Sequence, residues 1–356
     1  MSTRTFTLNR LPLASLHRKL GASFGAAGDF QVVEGYGDLG REVAALKTGV
    51  GLFDRAFVGR LELLGKDRQR FLHGLVTCDV NALAAGQGAY GFFTSQQGKI
   101  LSDVEVLALP DRLWLVLPPG KGGFISDHLQ KYIIADRVEV MPLADMLPIA
   151  LLGPGAEALL SAEAELPPER LGNGRATVAG IEVGLVRVVR AGISGFELWV
   201  SASVAGALCD ELRARPGVTP VGRAALEQVR VEAGVPAFGA DFDEQHFPQE
   251  SGLESQAVSY TKGCYLGQEI VARIHYRGKA NHALRRLAFD PGPVPTAGSR
   301  LLFEGQEVGR VGSAVAPLDG GAPVGLAVLH RKGGEPGTRL SVEGFGTAEV
   351  VPTATD

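Results

Sequence analysis

An α+β fold is the class that this sequence of 356 residues predicts. Segments with strand-like alternation and segments with helical spacing follow one another without a strict strand–helix–strand repeat. The 48 glycines mark many tight connections between short strands. From about residue 284 helical spacing disappears, and short strands separated by Gly and Pro turns predict a C-terminal antiparallel β-barrel.

The length of the chain exceeds one ordinary hydrophobic core, so we expect more than one domain. Residues 1–145 are expected to form the N-terminal part of an α+β region, and residues 146–283 a second α+β domain. The barrel then occupies residues 284–356.

The elements of the N-terminal region alternate in type. Residues 40–55 predict a helix followed by an extended segment, and a strand, a turn and a helix come next. Residues 88–120 predict a meander of about three strands. The segment 121–134 predicts a helix with Ser126 or Asp127 near its start.

The middle of the chain continues the mixture of strands and helices. Two strands are followed by a helix that opens after Gly155. Residues 161–180 are rich in Pro, Gly and Glu and predict a loop. Residues 181–214 predict two strands around a glycine-rich turn and then a helix, and residues 222–236 predict another helix.

Composition and charge exclude several classes of protein. Hydrophobic residues make up 45% of the chain and charged residues 21%, which is typical of a globular protein in water. The net charge of −4 provides no global basic field for nucleic acid, although it does not exclude a local basic patch. No apolar run reaches about 18 residues and the N-terminus lacks a signal-peptide core, so we expect neither a membrane span nor export.

The cysteines are few and far apart, at Cys78, Cys209 and Cys264. No two of them form a Cys-x-x-Cys pair, so we expect neither a disulfide framework nor a complete zinc or cluster site. A sparse, odd number of cysteines is typical of the reducing cytoplasm. The expected location is therefore cytoplasmic, with no metal ligands assigned.

Cys264 lies in a glycine-flanked, charged segment, SYTKGCYLGQEIVARIHYRG, which we expect to be a loop. Lys262 precedes it by two residues, and a nearby cation favours the reactive thiolate. Gln268 adds a polar partner, and the glycines allow a close approach of other groups. Cys264 is either a reactive or ligating thiol or a small buried residue, which is a common role of free cysteines.

Asp103 lies just inside a predicted strand, in the segment GKILSDVEV. Asp is uncommon in strands, so its presence needs a reason. It either faces solvent or caps the preceding turn, or it points into a pocket as a hydrogen-bond acceptor or acid–base group.

Glu197 lies inside the aromatic strand GISGFELWV. Alternation puts Glu197 and Trp199 on one face of that strand, and Phe196, Leu198 and Val200 on the other. A carboxylate beside an indole suits a flat heteroaromatic ligand that carries N–H donors. The alternative is an ordinary half-exposed face of a sheet.

A basic run, ARIHYRGKANHALRR, covers residues 272–286, and seven of its fifteen residues are Arg, Lys or His. Such a run is usually a solvated surface. It could also meet the anionic tail of a ligand or the phosphates of RNA.

Several segments together resemble the glycine-cleavage T-protein (aminomethyltransferase) superfamily along nearly the whole chain. They are REVAALKTGVGLFD, LLGKDRQRFLHGLVTCDV, GKILSDV, GISGFELWV, ALEQVRVEAGVPAFGADFDEQHFPQESGL and KGCYLGQE. Within this superfamily, KGCYLGQE and FLHGLVTCDV resemble YgfZ-type folate-binding proteins, which support iron–sulfur enzymes and tRNA modification. The resemblance implies a T-protein-like multidomain folate-binding fold.

The resemblance further implies a tetrahydrofolate-binding accessory protein for the assembly or repair of iron–sulfur enzymes. Those client enzymes include tRNA-modifying ones, so any contact with tRNA is expected to be indirect. Carried over by motif, Cys264 is the functional cysteine, Lys262 its accompanying lysine, and Glu197 the glutamate that recognises the pterin ring. The other residues expected to bind the tetrahydrofolate, or a one-carbon derivative of it, are Asp103, Trp199 and Gln268.

The chain departs from the T-protein pattern in three places. An acidic pair reads Ser102-Asp103, an Ala-Arg-Asp reads Ala225-Leu226-Glu227, and the tyrosine of a Gly-Tyr-Thr-Gly turn is Arg190. These changes favour folate binding over transfer of a methylene unit from an aminomethyl-lipoyl arm. An aminomethyltransferase or related one-carbon transferase is the alternative function, and a thiol-based RNA-binding module is a third.

Overall fold

A computed structural model describes residues 8–278 and 280–352. Part of the N-terminal segment considered for a signal peptide lies outside the described residues, as does Lys279 of the basic run. No helix within these ranges is long and apolar enough to cross a membrane. The helices are α1 (Ala14–Lys19), α2 (Leu39–Thr48), α3 (Arg68–His73), α4 (Lys121–Gln130), α5 (Ala156–Ser161), α6 (Ala202–Arg213), α7 (Arg223–Glu232), α8 (Glu254–Ala257) and α9 (Gln268–Arg277).

The strands fall into an N-terminal and a C-terminal series. The first series is β1 (Ser23–Ala27), β2 (Phe30–Gly35), β3 (Val50–Asp54), β4 (Gly59–Leu64), β5 (Gly88–Thr94), β6 (Ile100–Ala108), β7 (Leu113–Leu117), β8 (Glu139–Pro142), β9 (Met146–Leu152), β10 (Asn173–Val178), β11 (Ile181–Arg190), β12 (Ile193–Ser201) and β13 (Val218–Pro220). The second series is β14 (His282–Phe289), β15 (Arg300–Phe303), β16 (Gln306–Arg310), β17 (Ser313–Val315), β18 (Val324–His330), β19 (Arg339–Val342) and β20 (Gly346–Val351).

The described chain divides into two compact units, each made of several segments. The first unit contains the chain up to Phe71, Val80–Ala89 and Val104–Glu227. The second contains Leu72–Asp79, Tyr90–Asp103 and the chain from Gln228 onward. The expected three-part division, with boundaries after residues 145 and 283, stays a prediction.

A sheet with the strand order β10-β11-β12-β9-β3-β13 belongs to the first unit. Its pairs are antiparallel apart from β13 with β3, which is parallel. Glu197 on β12 lies opposite Ala150 on β9, and Ala150 lies opposite Phe53 on β3. This register brings the end of β3 close to the strand that carries Glu197.

The hairpin between β11 and β12 positions a charged side chain. Ala191 and Gly192 have φ angles of 54° and 80°, as a two-residue type I′ turn requires. Arg190 therefore pairs with Ile193 at the end of the hairpin. Because every second residue of a strand shares a face, Arg190 lies on the same face of the sheet as Glu197.

The second unit contains a closed antiparallel barrel. Its strands have the order β14-β20-β19-β15-β16-β18, and β18 pairs with β14 to close the ring. Leu287, Leu301, Leu329 and Val350 belong to its packed core, each at most 1% exposed. The predicted fold class, α+β with a C-terminal antiparallel β-barrel, is confirmed.

Three local expectations were wrong. Helix α4 begins directly after Gly120, whose φ of 77° is left-handed, so neither Ser126 nor Asp127 lies near its start. The predicted loop at 161–180 contains β10, which β11 holds by backbone pairing. Helix α9 begins within the segment expected to be a loop, because Gly267 also adopts a left-handed φ of 83° at its N-cap.

Candidate functional site

Glu197 is buried within the first unit on the inner strand β12. Its side chain is only 1% exposed, whereas an antiparallel strand often turns one face to water. Trp199, on the same face, is fully buried as well. A carboxylate in such surroundings requires charged or hydrogen-bonding partners.

Two arginines supply those partners. Arg190 donates from Nε to Glu197 Oε1 at 2.7 Å. Arg55 donates from Nη1 to the same oxygen. Arg55 can reach it because it directly follows β3, and its backbone N–H donates to the Pro148 carbonyl of β9 at 3.0 Å. Glu197 is thus held by Arg190 from the neighbouring strand β11 and by Arg55 from the end of β3, on the far side of β9.

Glu105, on β6, completes this charge network of Arg55, Glu197, Arg190 and Glu105. Arg190 Nη2 donates to Glu105 Oε2 at 2.7 Å, and Nη1 donates to the other carboxylate oxygen. This is a bidentate pair, the strongest geometry that an arginine and a carboxylate can form. Two positive and two negative groups therefore balance one another away from bulk water.

The charge network keeps Glu197 ionised. Burial alone would raise the pKa of Glu197, but the charges and hydrogen bonds of Arg190 and Arg55 outweigh it and hold that pKa well below its usual range. Burial lowers the pKa of Arg55, and the charge of Arg190 lowers it further. The carboxylates raise the pKa of Arg190 against the effect of its burial. Glu197 is therefore a fixed hydrogen-bond acceptor.

Arg55 and Glu105 are site residues that sequence reasoning missed. Each lies among apolar residues, Arg55 with Asp54 between Phe53 and Ala56, and Glu105 between Val104 and Val106. A charged residue at an otherwise buried position is a signal that could have found them. Their pairing with Glu197 and Arg190 depends on strand register and on a second sheet, which local patterns do not specify.

The charge network leaves some hydrogen-bonding capacity unused. Arg190 engages Nε and both terminal nitrogens. In the described part of the chain, Arg55 has no acceptor besides Glu197, and its side chain is 14% exposed. Among the same residues, Glu197 Oε2 receives no hydrogen bond, so an acceptor and a donor stay available side by side. A planar ring that carries N–H donors next to a carbonyl would complement this pair.

Trp199 lies on the same face of β12 as Glu197 and packs against a second tryptophan. Its ring packs against Trp114, with centroids 5.2 Å apart and planes 36° apart. Trp199 is fully buried, so its ring has no face open to a ligand in this structure. The expected contact of Trp199 with folate stays a prediction.

Lys262, in the second unit, is buried and bonded to the backbone. Its Nζ donates to the carbonyls of His73, Val76 and Cys78 at 2.6, 2.6 and 2.9 Å. An ammonium has three N–H donors, and these contacts use all of them. Burial lowers the pKa of Lys262 to about 8. The lysine thus ties the 259–267 segment to the loop that follows α3.

Cys264 and Gln268 lie on either side of a tight corner in the second unit. The Cys264 thiol is exposed, whereas Cys78 and Cys209 are buried. Gln268 opens α9, and its backbone N–H donates to the Tyr265 carbonyl at 3.1 Å. These two residues and Lys262 come from one motif, and their roles stay predictions.

Asp103 accepts a hydrogen bond from another residue of the second unit. The Tyr90 hydroxyl donates to Asp103 Oδ2 at 2.9 Å. The preceding Ser102 is fully buried, and its hydroxyl donates to the Asp103 backbone carbonyl at 2.8 Å. An oriented carboxylate of this kind can accept or deliver a proton.

The basic run is divided between α9 and β14. Arg285 donates to the Gly334 carbonyl at 2.6 Å, and Arg286 donates to the Glu232 carbonyl at 2.9 Å. His275 Nδ1 lies 2.9 Å from a Glu254 carboxylate oxygen. These side chains stabilise the second unit, and contact with phosphates stays a prediction.

The architecture is that of the T-protein fold. The crystal structure of the glycine cleavage system aminomethyltransferase T from Bartonella henselae matches with a TM-score of 0.89, covering 98% of this chain and 97% of that one at 24% identity. The sequence model of the GCVT N-terminal domain matches residues 13–262. The chain therefore belongs to the GCVT N-terminal domain family.

Bacterial relatives share most of the chain. A protein of Herpetosiphon aurantiacus is 30% identical over 323 residues, covering 88% of this chain and 83% of its own length. A protein of Symbiobacterium thermophilum is 30% identical over 321 residues, covering 86% and 85%. Each is named aminomethyltransferase, and so is a Saccharopolyspora erythraea protein that is 28% identical over 349 residues.

These relatives correct the main functional expectation. A role as accessory protein for iron–sulfur enzymes is wrong, since relatives that match over most of the chain are named aminomethyltransferase. The alternative, an aminomethyltransferase or related one-carbon transferase, fits better, and neither iron–sulfur clients nor tRNA modification gains support. The cofactor expectation is confirmed for the family, whose members bind tetrahydrofolate as their one-carbon carrier.

Proposed function

We propose that this protein is a folate-dependent one-carbon transferase of the aminomethyltransferase type. Its donor is an aminomethyl group on the sulfur of a lipoyl carrier protein, and its acceptor is tetrahydrofolate. The methylene carbon leaves sulfur and nitrogen and joins two folate nitrogens, whose two protons go to the departing ammonia and thiol. Similarity to proteins named aminomethyltransferase over most of the chain supports this function.

The observation that carries the proposal is the buried, ionised Glu197 with one oxygen outside its arginine contacts. Glu197 binds the N–H donors of the pterin and fixes the ring. Arg190 and Arg55 position the carboxylate, and Glu105 positions Arg190. Arg190 and Arg55 thus hold one oxygen of Glu197 and leave the other able to accept.

Asp103 is the residue to which we assign proton transfer. Tyr90 orients its carboxylate. Tetrahydrofolate supplies the two amines that carry the one-carbon unit. Lys262 fixes the motif segment through its three carbonyl contacts, and Cys264 and Gln268 are auxiliary candidates without a step assigned.

The decisive experiment measures formation of methylenetetrahydrofolate from an aminomethylated lipoyl carrier protein and tetrahydrofolate. The wild type is expected to turn over, and Asp103→Asn to lower kcat by about 100-fold or more with little effect on folate affinity. Tyr90→Phe, which keeps the carboxylate but removes its donor, is the matched control and should lower kcat less. Absence of turnover by a folate-binding wild type would overturn the proposed reaction.

Two finer points belong with this function. The KGCYLGQE motif supports placing the chain on the branch of the family that it shares with YgfZ-type proteins, without their iron–sulfur role. We also propose a cytoplasmic location, since three dispersed cysteines suit a reducing compartment. Fractionation of cells producing the tagged protein would test the location.

A further inference from the structure

Arg55 is the member of the charge network whose free groups the proposed function does not use. Its Nη1 donates to Glu197 Oε1, where Arg190 Nε also binds. Both terminal nitrogens of Arg190 donate to Glu105. Arg55 has no second acceptor anywhere in the described ranges, and 14% of its side chain is exposed. Arg55 therefore keeps N–H donors accessible beside the carboxylate.

The position of those donors is constrained. A guanidinium is a rigid, planar fork, so fixing one nitrogen restricts the others. The backbone of Arg55 is held as well, since its N–H donates to the Pro148 carbonyl at 3.0 Å and its carbonyl accepts from Val58 N–H at 3.1 Å. The site thus presents an acceptor, Glu197 Oε2, next to the donors of Arg55.

A pterin ring carries the complementary groups on one edge. Its 2-amino group and N3–H are donors, and the adjacent 4-oxo group is an acceptor. Glu197 can bind these donors, and a 4-amino pteridine already lacks the N3–H, but an acceptor such as Glu197 makes no favourable contact with the 4-oxo oxygen itself. A 4-amino group would bring its own N–H against the N–H groups of Arg55 and leave both without an acceptor.

We propose that Arg55 donates a hydrogen bond to the 4-oxo group of the pterin and makes the site selective for 4-oxo over 4-amino pteridines. The inference rests on the proposed function, because it requires that the pterin bind at Glu197. Arg55 is then a specificity-determining residue, distinct in role from Arg190, which only positions the carboxylate.

The test is a cycle of two ligands and several variants, measured as Kd by calorimetry. Folic acid and its 4-amino analogue aminopterin differ at the 4 position and in the N3–H that accompanies the 4-oxo group, and neutral buffer keeps the N3–H of folic acid and leaves the aminopterin ring unprotonated. The wild type is expected to prefer folic acid by roughly 10-fold to 100-fold, the scale of one hydrogen bond to a charged group. Arg55→Met should lower that preference by about 10-fold, and the remainder is the part that Glu197 derives from the N3–H.

Two further variants keep the result interpretable. Arg55→Lys keeps a positive charge beside Glu197 but lacks the rigid guanidinium, so it should also lose most of the preference. It replaces Arg55→Met if that variant does not fold. The double variant Arg190→Met with Glu105→Gln removes the other cation together with the charge of Glu105, while Arg55 still pairs with Glu197. It should weaken both ligands and preserve the preference.

The possible outcomes distinguish a failure of the proposed role of Arg55 from a failure of the proposed function. Equal affinity of the wild type for both ligands, or full preference in a folded Arg55→Met variant, would overturn the role of Arg55 and leave the proposed function intact. A wild type that binds neither ligand nor tetrahydrofolate would overturn both.

Discussion

Glu197 in the first unit and Lys262 in the second are both buried charges, but they are satisfied in opposite ways. Glu197 is held by two arginine side chains through one oxygen, and its second oxygen stays available. Lys262 donates to three backbone carbonyls, which uses all its N–H groups. The contrast separates a group built for recognition from a group that fixes the backbone.

Loss of each charge should also lower the free energy of unfolding by a different amount. Removing an arginine from the charge network leaves carboxylates without a counter-charge. Removing Lys262 leaves neutral carbonyls without donors, a smaller penalty for each group. Comparing the free energy of unfolding between variants of the charge network and variants of Lys262 therefore tests whether the two buried charges are satisfied in these different ways.

Arg190→Met is expected to have the largest effect. It leaves Glu105 without the donors of its bidentate pair and deprives Glu197 of one, so the free energy of unfolding should fall by about 3–5 kcal/mol. Chemical denaturation measures this change. Adding Glu105→Gln should recover part of it, and a loss below about 1 kcal/mol would mean that the carboxylates are solvated instead of buried.

Lys262→Met is expected to rank second, lowering the free energy of unfolding by about 2–4 kcal/mol. The matched control is Lys66→Met, an exposed lysine whose loss should change stability by less than about 0.5 kcal/mol. Denaturation curves of the two variants that coincide with the wild type would refute the anchoring role of Lys262.

The pH dependence of stability reports on Glu197. Its folded-state pKa is lowered, so its contribution is fully present above its ordinary pKa of 4.5 and is lost as the pH falls below that value. Between about pH 5 and about pH 3 the wild type should therefore lose more stability than Glu197→Gln, which has no proton to take up. Parallel stability profiles of the two proteins would show that Glu197 does not titrate with a lowered pKa.

Cys264→Ala is expected to have the smallest effect, within about 0.5 kcal/mol in stability, because the thiol is exposed. Folate affinity should be unchanged. In the native wild type, a thiol reagent should label Cys264 rapidly and the buried Cys78 and Cys209 only on unfolding. Rapid labelling of all three thiols would contradict this burial.

The parts of the structure that local patterns control were predictable from the sequence. The loss of helical spacing after residue 284 indicated the barrel, and a carboxylate inside an aromatic strand indicated Glu197. Local patterns do not predict the start of helix α9, because glycine is also typical of loops, whereas the left-handed φ of Gly267 starts the helix here. A Cβ at Gly267 would lie 2.3 Å from the Ser95 carbonyl oxygen, a closeness that only the fold reveals.

The partners of Glu197 could not be predicted for a different reason. Arg55 lies 142 residues away in sequence, and the Arg190–Glu105 pair spans 85 residues. These contacts depend on how β3, β9 and β12 align and on a strand of another sheet. Sequence patterns identify which face a residue occupies, but not which distant residue shares that face.

Calorimetric titration of tetrahydrofolate tests the central claim most directly. The proteins to compare are the wild type, Glu197→Gln and the matched control Glu62→Gln, in which another strand glutamate loses its charge beside Arg112, 3.0 Å away. We predict that Glu197→Gln weakens binding by about 1.5–3 kcal/mol and that Glu62→Gln binds like the wild type. Equal affinity of wild type and folded Glu197→Gln would contradict pterin recognition by Glu197.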